Sequence, residues 1–453
     1  MQKLVYLLVV VLVIAASVWG ALVYTKGEKK RRVDNSIRPV VSASGGTSER
    51  TLSPAASEPS SPEANTPAAA IRQFDPSLRY EDGELVVVDP PSNFNDVALS
   101  LGFVVLERVP LGSLGMVVVR LGVPPGTAVP SARRRLLGRF PGLLVDANHQ
   151  FDESGGTLLA DLYHFSIIGT AQAAQDQRRN AVSSLARAAI GWQDIPETCG
   201  RGVRLGMIDS SIDLGHPALV GRNIEFQSFH NPKRRPGPAT HGTAVAALLV
   251  GNPAGKGFGG LLPGAELKAA NMFERDATGK KVGNVIALLK GLNWLIGSGV
   301  HAINLSIAGS DNRAVKKAFE IAQRKGMIMV AAAGNWGTDD RPAYPAAYGN
   351  VLAVTAIDPY QRIYRNANRG SYIEFAAPGV NMWTAVPGGG KYQSGTSFAA
   401  PYITALLGLE VAHGASRNPD ALRNVLREGI ADLGNPGRDN VFGWGYIRKQ
   451  PNC

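Results

Sequence analysis

Three residue types that together can hydrolyse an amide, an aspartate, a histidine and a serine, each sit beside small neighbours in this chain. Peptide hydrolysis needs a nucleophile, a base to take and return its proton, a group to orient that base, and donors for the oxyanion. Asp209 ends the apolar strand RLGMID, where open α/β sheets build their sites. His241 opens the apolar helix THGTAVAALLVG. Ser397 lies just inside the helix start of SGTSFAAPYITALLGL, with Gly395 permitting a tight turn and Pro401 read as early enough to cost little helix hydrogen bonding. A helix start offers unpaired N–H groups and positive potential to a developing oxyanion. MIMVAAAGNWG carries Asn335 at another strand end, between Gly334 and Trp336, with a side-chain amide for the same purpose. Taken singly, a strand-ending aspartate caps a turn and a histidine at a helix start is structural; only their joint presence points to catalysis.

The elements that must position them are legible as alternation. From Gly202 onward, short apolar strands (RLGMID, HAINLSI, MIMVAAAGN, VLAVTAID, YIEFAAPG) alternate with helical segments (THGTAVAALLVG, NVIALLKGLNWLIGSG, RAVKKAFEIAQRKG, SFAAPYITALLGLEVAHG). This predicts an α/β fold, a doubly wound, mostly parallel sheet with helices on both faces. Upstream, Glu84 to Asp152 reads strand, helix, hairpin, helix, strand, the split βαβ pattern of a small ferredoxin-like α+β domain. Leu4 to Tyr24 is an uncharged apolar run long enough to span a bilayer, with TKGEKKRR after it. The Ser/Pro/Ala-rich stretch that follows cannot bury enough surface to fold. The expected organisation is a transmembrane signal anchor with basic flank over 1–32, a disordered linker over 33–80, the ferredoxin-like domain over 81–152, a connector with a helix over 153–190 and the large domain over 191–453.

The blocks MIDSSIDLGHPAL, HGTAVAALLVG, AAAGNWG and SGTSFAAP resemble, in order, the four signature blocks of the subtilisin-like serine protease family. The resemblance runs from about Trp192 to the C-terminus. It implies that Asp209 orients, His241 acts as base then acid, Ser397 is the nucleophile, and Asn335 with the Ser397 backbone N–H forms the oxyanion hole. NLSIAGS resembles the family's substrate-binding strand, making Leu305, Ser306, Ile307, Ala308 and Gly309 the candidate substrate-binding residues. Two positions depart from the family pattern: Asp209-Ser210-Ser211 where a glycine usually stands third, and Ala308-Gly309 where paired glycines are usual. The added methyl of Ala308 implies a narrowed subsite. By the same resemblance, the domain over 81–152 is similar to a propeptide that inhibits the enzyme by product-like binding, with self-cleavage between about Asp152 and Ala181.

Composition narrows the partners. The 453 residues carry a net charge of +11, yet the basic residues are scattered in small groups without interleaved aromatics, so no nucleic-acid partner is expected. The expected partners are protein or peptide substrates, the chain's own propeptide and, through the N-terminal helix, a membrane. The peptidase domain is then exported, periplasmic or extracellular, or secreted if the N-terminal segment is cleaved. No cofactor and no metal ligand is assigned; the family's loop-bound calcium leaves no short motif, so such a site stays open. Cys199 and Cys453 read equally as one bridge or as two thiols. His216, close behind Asp209, reads as structural. Two alternatives keep the fold and change the role: a catalytically silent binding scaffold, and a macrocyclase that passes the acyl group to an amine.

Overall fold

A computed structural model describes residues 79–153, 192, 195–253 and 258–453. The expected anchor over 1–32, nearly all of the linker over 33–80 and the connector helix lie outside these residues. Among the described residues, no helix is long and apolar enough to cross a membrane.

The N-terminal module runs β1 (Tyr80–Val88), α1 (Phe94–Ser100), β2 (Val104–Leu111), β3 (Met116–Gly122), α2 (Val129–Arg139) and β4 (Leu144–Glu153). Its strands pair antiparallel in the order β2-β3-β1-β4, the ferredoxin-like arrangement. Side chains alternate across a strand, and in β1 both sets are buried. Leu85 and Val87 pack with Phe94, Ala132 and Leu136 inside the module. Val86 and Val88 face away, into a second core. That two-sided burial is why the segment reads as a continuous apolar run.

The large domain contains β5 (Arg204–Asp209), β6 (Ile224–Ser228), α3 (Thr240–Val250), β7 (Glu266–Asn271), β8 (Phe273–Arg275), β9 (Lys281–Asn284), α4 (Val285–Gly297), β10 (Ala302–Leu305), β11 (Ile307–Gly309), α5 (Arg313–Arg324), β12 (Ile328–Ala332), β13 (Leu352–Ile357), β14 (Phe375–Pro378), β15 (Met382–Val386), β16 (Gly389–Gln393), α6 (Thr396–Ala412), α7 (Pro419–Arg427), β17 (Ile430–Ala431) and β18 (Tyr446–Ile447). Nine strands form one sheet in the order β17-β18-β14-β13-β12-β10-β5-β7-β6, parallel except for β17 against β18. Helices α3 and α6 bury one face. Helices α4 and α5 bury the other, in the same core that receives Val86 and Val88. The helices on that side are therefore covered twice, by the sheet below and by the N-terminal module above.

Two expectations need correction. HAINLSI reads as one strand, but it breaks at Ser306: β10 pairs with β5 and β12, whereas β11 leaves that sheet and pairs with β4. Pro401 is not confined to the first helical turn; it sits inside α6, where it removes the N–H that would bond the Ser397 carbonyl. That carbonyl accepts instead from Ser306 Oγ at 3.0 Å. The break in the strand and the proline in the helix thus answer each other.

Cys199 and Cys453 form a disulfide across a sequence separation of 254, with Cα atoms 5.0 Å apart. Closing so long a loop stabilises the fold by about 5 kcal/mol in the chain-entropy model. Cys453→Ala is expected to lower the thermal unfolding midpoint by on the order of 10 °C. Calorimetry of the variant beside the reduced parent checks this, since both should fall together.

Candidate active site

Asp209 closes β5 with its carboxylate fully buried. Its Oδ1 accepts from Ser210 N at 2.7 Å, from Ser210 Oγ at 3.3 Å and from His241 Nδ1 at 2.7 Å. His241 is the second residue of α3, and that helix start presses against the chain leaving β5. A Cβ on Gly242 would lie 2.5 Å from the carbonyl oxygens of Ser210 and Ser211, so only glycine lets the two backbones meet. Gly242 N also donates to Ser210 Oγ at 3.0 Å. Ser210, which precedes the departure from the family pattern at Ser211, therefore ties both ends of the Asp209–His241 pair.

Burial by itself disfavours a charged His241, but the Asp209 and Glu153 carboxylates together outweigh it, and its pKa is raised above the ordinary imidazole value. Nε2, the nitrogen turned away from Asp209, is buried and takes no hydrogen bond among the described residues. The contact that would pass a proton from Ser397 to His241 is thus not made in this state; such bonds often tighten only around substrate. Ser397, second residue of α6, is fully buried. The next side chain, Phe398, lies with its ring 5.4 Å from the imidazole. Asn335 is tied to the same helix start, its Oδ1 accepting from Thr396 N and Thr396 Oγ1, each at 3.1 Å. With its oxygen so fixed, the planar amide presents its NH2 on the other side. Gly334 before it holds φ at +99°, where a Cβ would come within 2.5 Å of Asn368 Nδ2.

The candidate substrate-binding residues divide. Leu305 closes β10 inside the central sheet, and Ser306 is spent on the Ser397 carbonyl and on Asn304 Nδ2. Ile307, Ala308 and Gly309 pair antiparallel with Glu153, Asp152 and Phe151 of β4. On its other edge, β4 pairs with β9 through Gln150↔Asn284 and Phe151↔Gly283. An extended strand of the N-terminal module therefore lies between two strands of the large domain and ends beside His241. Phe151 is fully buried there, against Gly309, where any Cβ would overlap its ring. Ala308 is buried in this ladder, its methyl the added group noted in the sequence.

Sequence reasoning missed β9, a short charged stretch without periodicity. It also missed how the module docks. Asn148 Oδ1 accepts from Val285 N at 3.1 Å and Asp146 Oδ2 from Arg313 N at 3.0 Å, so two side chains of β4 cap the first N–H groups of α4 and α5. Arg234 bridges Glu81 of the module to the buried Glu274, at 2.8 and 2.7 Å. His216, read as structural, accepts from Ala218 N and bonds the Gly389 carbonyl. Among the described residues, the one His/carboxylate group compact enough for an ion is Glu153, Asp209 and His241, the site itself. Since His241 Nδ1 is taken by Asp209, no metal is assigned there.

An α/β sheet with aspartate at a strand end and histidine and serine at two helix starts on one face defines the subtilisin-like class. Residues 200–445 match the model of the Subtilase family, and the chain belongs to that family. It is 30% identical over 253 residues to the minor extracellular protease Epr of Bacillus subtilis, covering 55% of this chain and 38% of that protein. It is 30% identical to thermitase of Thermoactinomyces vulgaris, covering 56% of this chain and 92% of thermitase. Among solved structures, fervidolysin of Fervidobacterium pennivorans superposes with a TM-score of 0.66 at 23% identity, over 83% of this chain and 61% of that one. The epidermin leader peptide processing protease of Staphylococcus aureus gives 0.59 at 18%, over 82% and 97%. These structural likenesses speak to fold alone. The chain spans well under two thirds of some curated relatives, 38% of Epr and 46% of fervidolysin.

Replacing Asp209→Asn removes the nearer charge that favours the imidazolium. The His241 titration midpoint should move down, read by NMR of the imidazole in a Ser397→Ala background; an unmoved midpoint would mean that the pair is not coupled.

Proposed function

We propose that this chain is a serine endopeptidase made as a self-inhibited precursor. The observation that carries the reading is β4, a strand of the chain's own, lying antiparallel between β9 and β11 and ending beside His241. An extended peptide placed as an added strand is how a groove of this kind takes a substrate backbone. The N-terminal module then acts as an inhibitory propeptide, its last strand in the place of a substrate's acyl side.

In the reaction, Ser397 Oγ attacks the scissile carbonyl while His241 Nε2 takes its proton. Asp209, bonded to Nδ1, holds the ring in the tautomer that leaves Nε2 free to accept and stabilises the imidazolium that forms. The negative oxygen is met by the Asn335 amide and the Ser397 N–H at the start of α6, where the helix dipole adds to the attraction. His241 returns the proton to the leaving amine, and water repeats the cycle on the acyl-enzyme. With β4 in place, the groove is filled and the Ser397–His241 contact is not made, which agrees with inhibition.

The disulfide supports an oxidising compartment for the large domain, consistent with export beyond a membrane to which the apolar run Leu4 to Tyr24 would tether it.

Ser397→Ala is expected to abolish hydrolysis of a peptide substrate, and Asn335→Ala to cut kcat by about 10²- to 10³-fold, a magnitude taken from subtilisin. Steady-state kinetics on the processed protein check both. Undiminished turnover in Ser397→Ala would overturn the assignment.

A further inference from the structure

The strand in the groove also reports what the groove reads. It rests on the function proposed above, because β4 is taken to sit where a substrate's acyl side would. Continuing the β4–β9 register from Phe151↔Gly283 by two places sets Glu153 opposite Lys281. The two side chains form an ion pair there, with the glutamate side chain only 6% exposed and the lysine 33%. Among the described residues, the Lys281 ammonium makes no other ion pair or side-chain hydrogen bond. Among the described residues Glu153 Oε1 is buried without a partner, and the carboxylate lies within 4.8 Å of the nearest nitrogen of His241 and oxygen of Asp209. Beside the Asp209 charge, an acidic side chain so enclosed needs a cation. The neighbouring Asp152 pairs with Arg79 of its own module and, among the described residues, makes no ion pair with the large domain.

Once β4 leaves, Lys281 is a half-buried cation at the edge of an empty groove. Glu153 lies opposite Ile307, and the next place along, Ser306, is bonded to the carbonyl of Ser397. A side chain in the Glu153 seat therefore belongs to the second residue on the acyl side of the bond under attack. We propose that Lys281 is a specificity-determining residue, selecting peptide substrates that carry an acidic side chain at that second acyl-side position.

The test uses the processed protein and three peptides alike except for Glu, Gln or Lys at that position, with the cleaved bond located by mass spectrometry. The expected kcat/KM for Glu exceeds that for Gln by about tenfold, the worth of a hydrogen bond to a charged group, and that for Lys by more. In Lys281→Ala the Glu-to-Gln ratio should fall to about one, and in Lys281→Glu the order of Glu and Lys should invert. Equal cleavage of the Glu and Gln peptides by the parent, or a ratio unchanged in Lys281→Ala, overturns the proposal. A second arm needs no turnover. In the full chain carrying Ser397→Ala, Glu153→Lys should speed hydrogen exchange at Ile307 to Gly309, and adding Lys281→Glu should restore protection. Exchange indifferent to both changes overturns the proposal. Should no peptide be cut while this rescue holds, the endopeptidase reading fails and the recognition by Lys281 stands.

Discussion

Helix α3 begins against the end of β5 at a distance that only a glycine permits, and the rest of the site depends on that approach. A methyl on Gly242 would sit 2.5 Å from two backbone oxygens. Moving the helix to make room would stretch the 2.7 Å bond between Asp209 and His241. The position is guarded from both sides, since Ser210 bonds the aspartate through its own N–H and hydroxyl and receives the Gly242 N–H. What the sheet and its covering helices supply is rigidity for this junction. Strand β5 lies between β10 and β7 inside the sheet, where neither neighbour can shift without breaking a parallel ladder.

The second constraint is how the N-terminal module and the large domain share structure. The strand β4 completes a ladder with β9 and β11, its side chains cap α4 and α5, and the outer face of β1 enters the core above those helices. Backbone pairing, capping and apolar burial act at one surface. The capping contacts are charge- or dipole-assisted, the first N–H groups of two helices meeting a carboxylate and an amide oxygen. A strand held in this way lies beside His241 through contacts made mostly away from the groove, which closes on its side chains at Phe151 and Glu153.

Much of this was legible in the sequence because it depends on local pattern. Strand–helix alternation announces a parallel sheet, and RLGMID and THGTAVAALLVG coincide with β5 and α3 almost to the residue. The residues of the Asp209–His241 pair and Asn335 were marked by small neighbours at strand ends and helix starts. Other features depend on distant partners and left no such mark. Nothing in KKVGN distinguishes β9 from a loop, because its hairpin partner β8 is only three residues long and its other partner, β4, is more than a hundred positions away. Asn148 and Asp146 look like ordinary polar residues in a strand, and their value lies in helices they meet only in space. The break at Ser306 was hidden because HAINLSI is uniformly strand-like; the partner that divides it is the carbonyl left open by Pro401. The bridge between Cys199 and Cys453 needed geometry to decide it.

The central claim is that β4 fills the groove and holds the site in a state where Ser397 cannot react. The rate at which a fluorophosphonate labels Ser397 measures this directly, in the intact chain and after the N-terminal module has been cut away and removed. Slow labelling that becomes fast on removal is the predicted result. Equal labelling in both forms would show a groove open to substrate with the module in place, and would contradict the account.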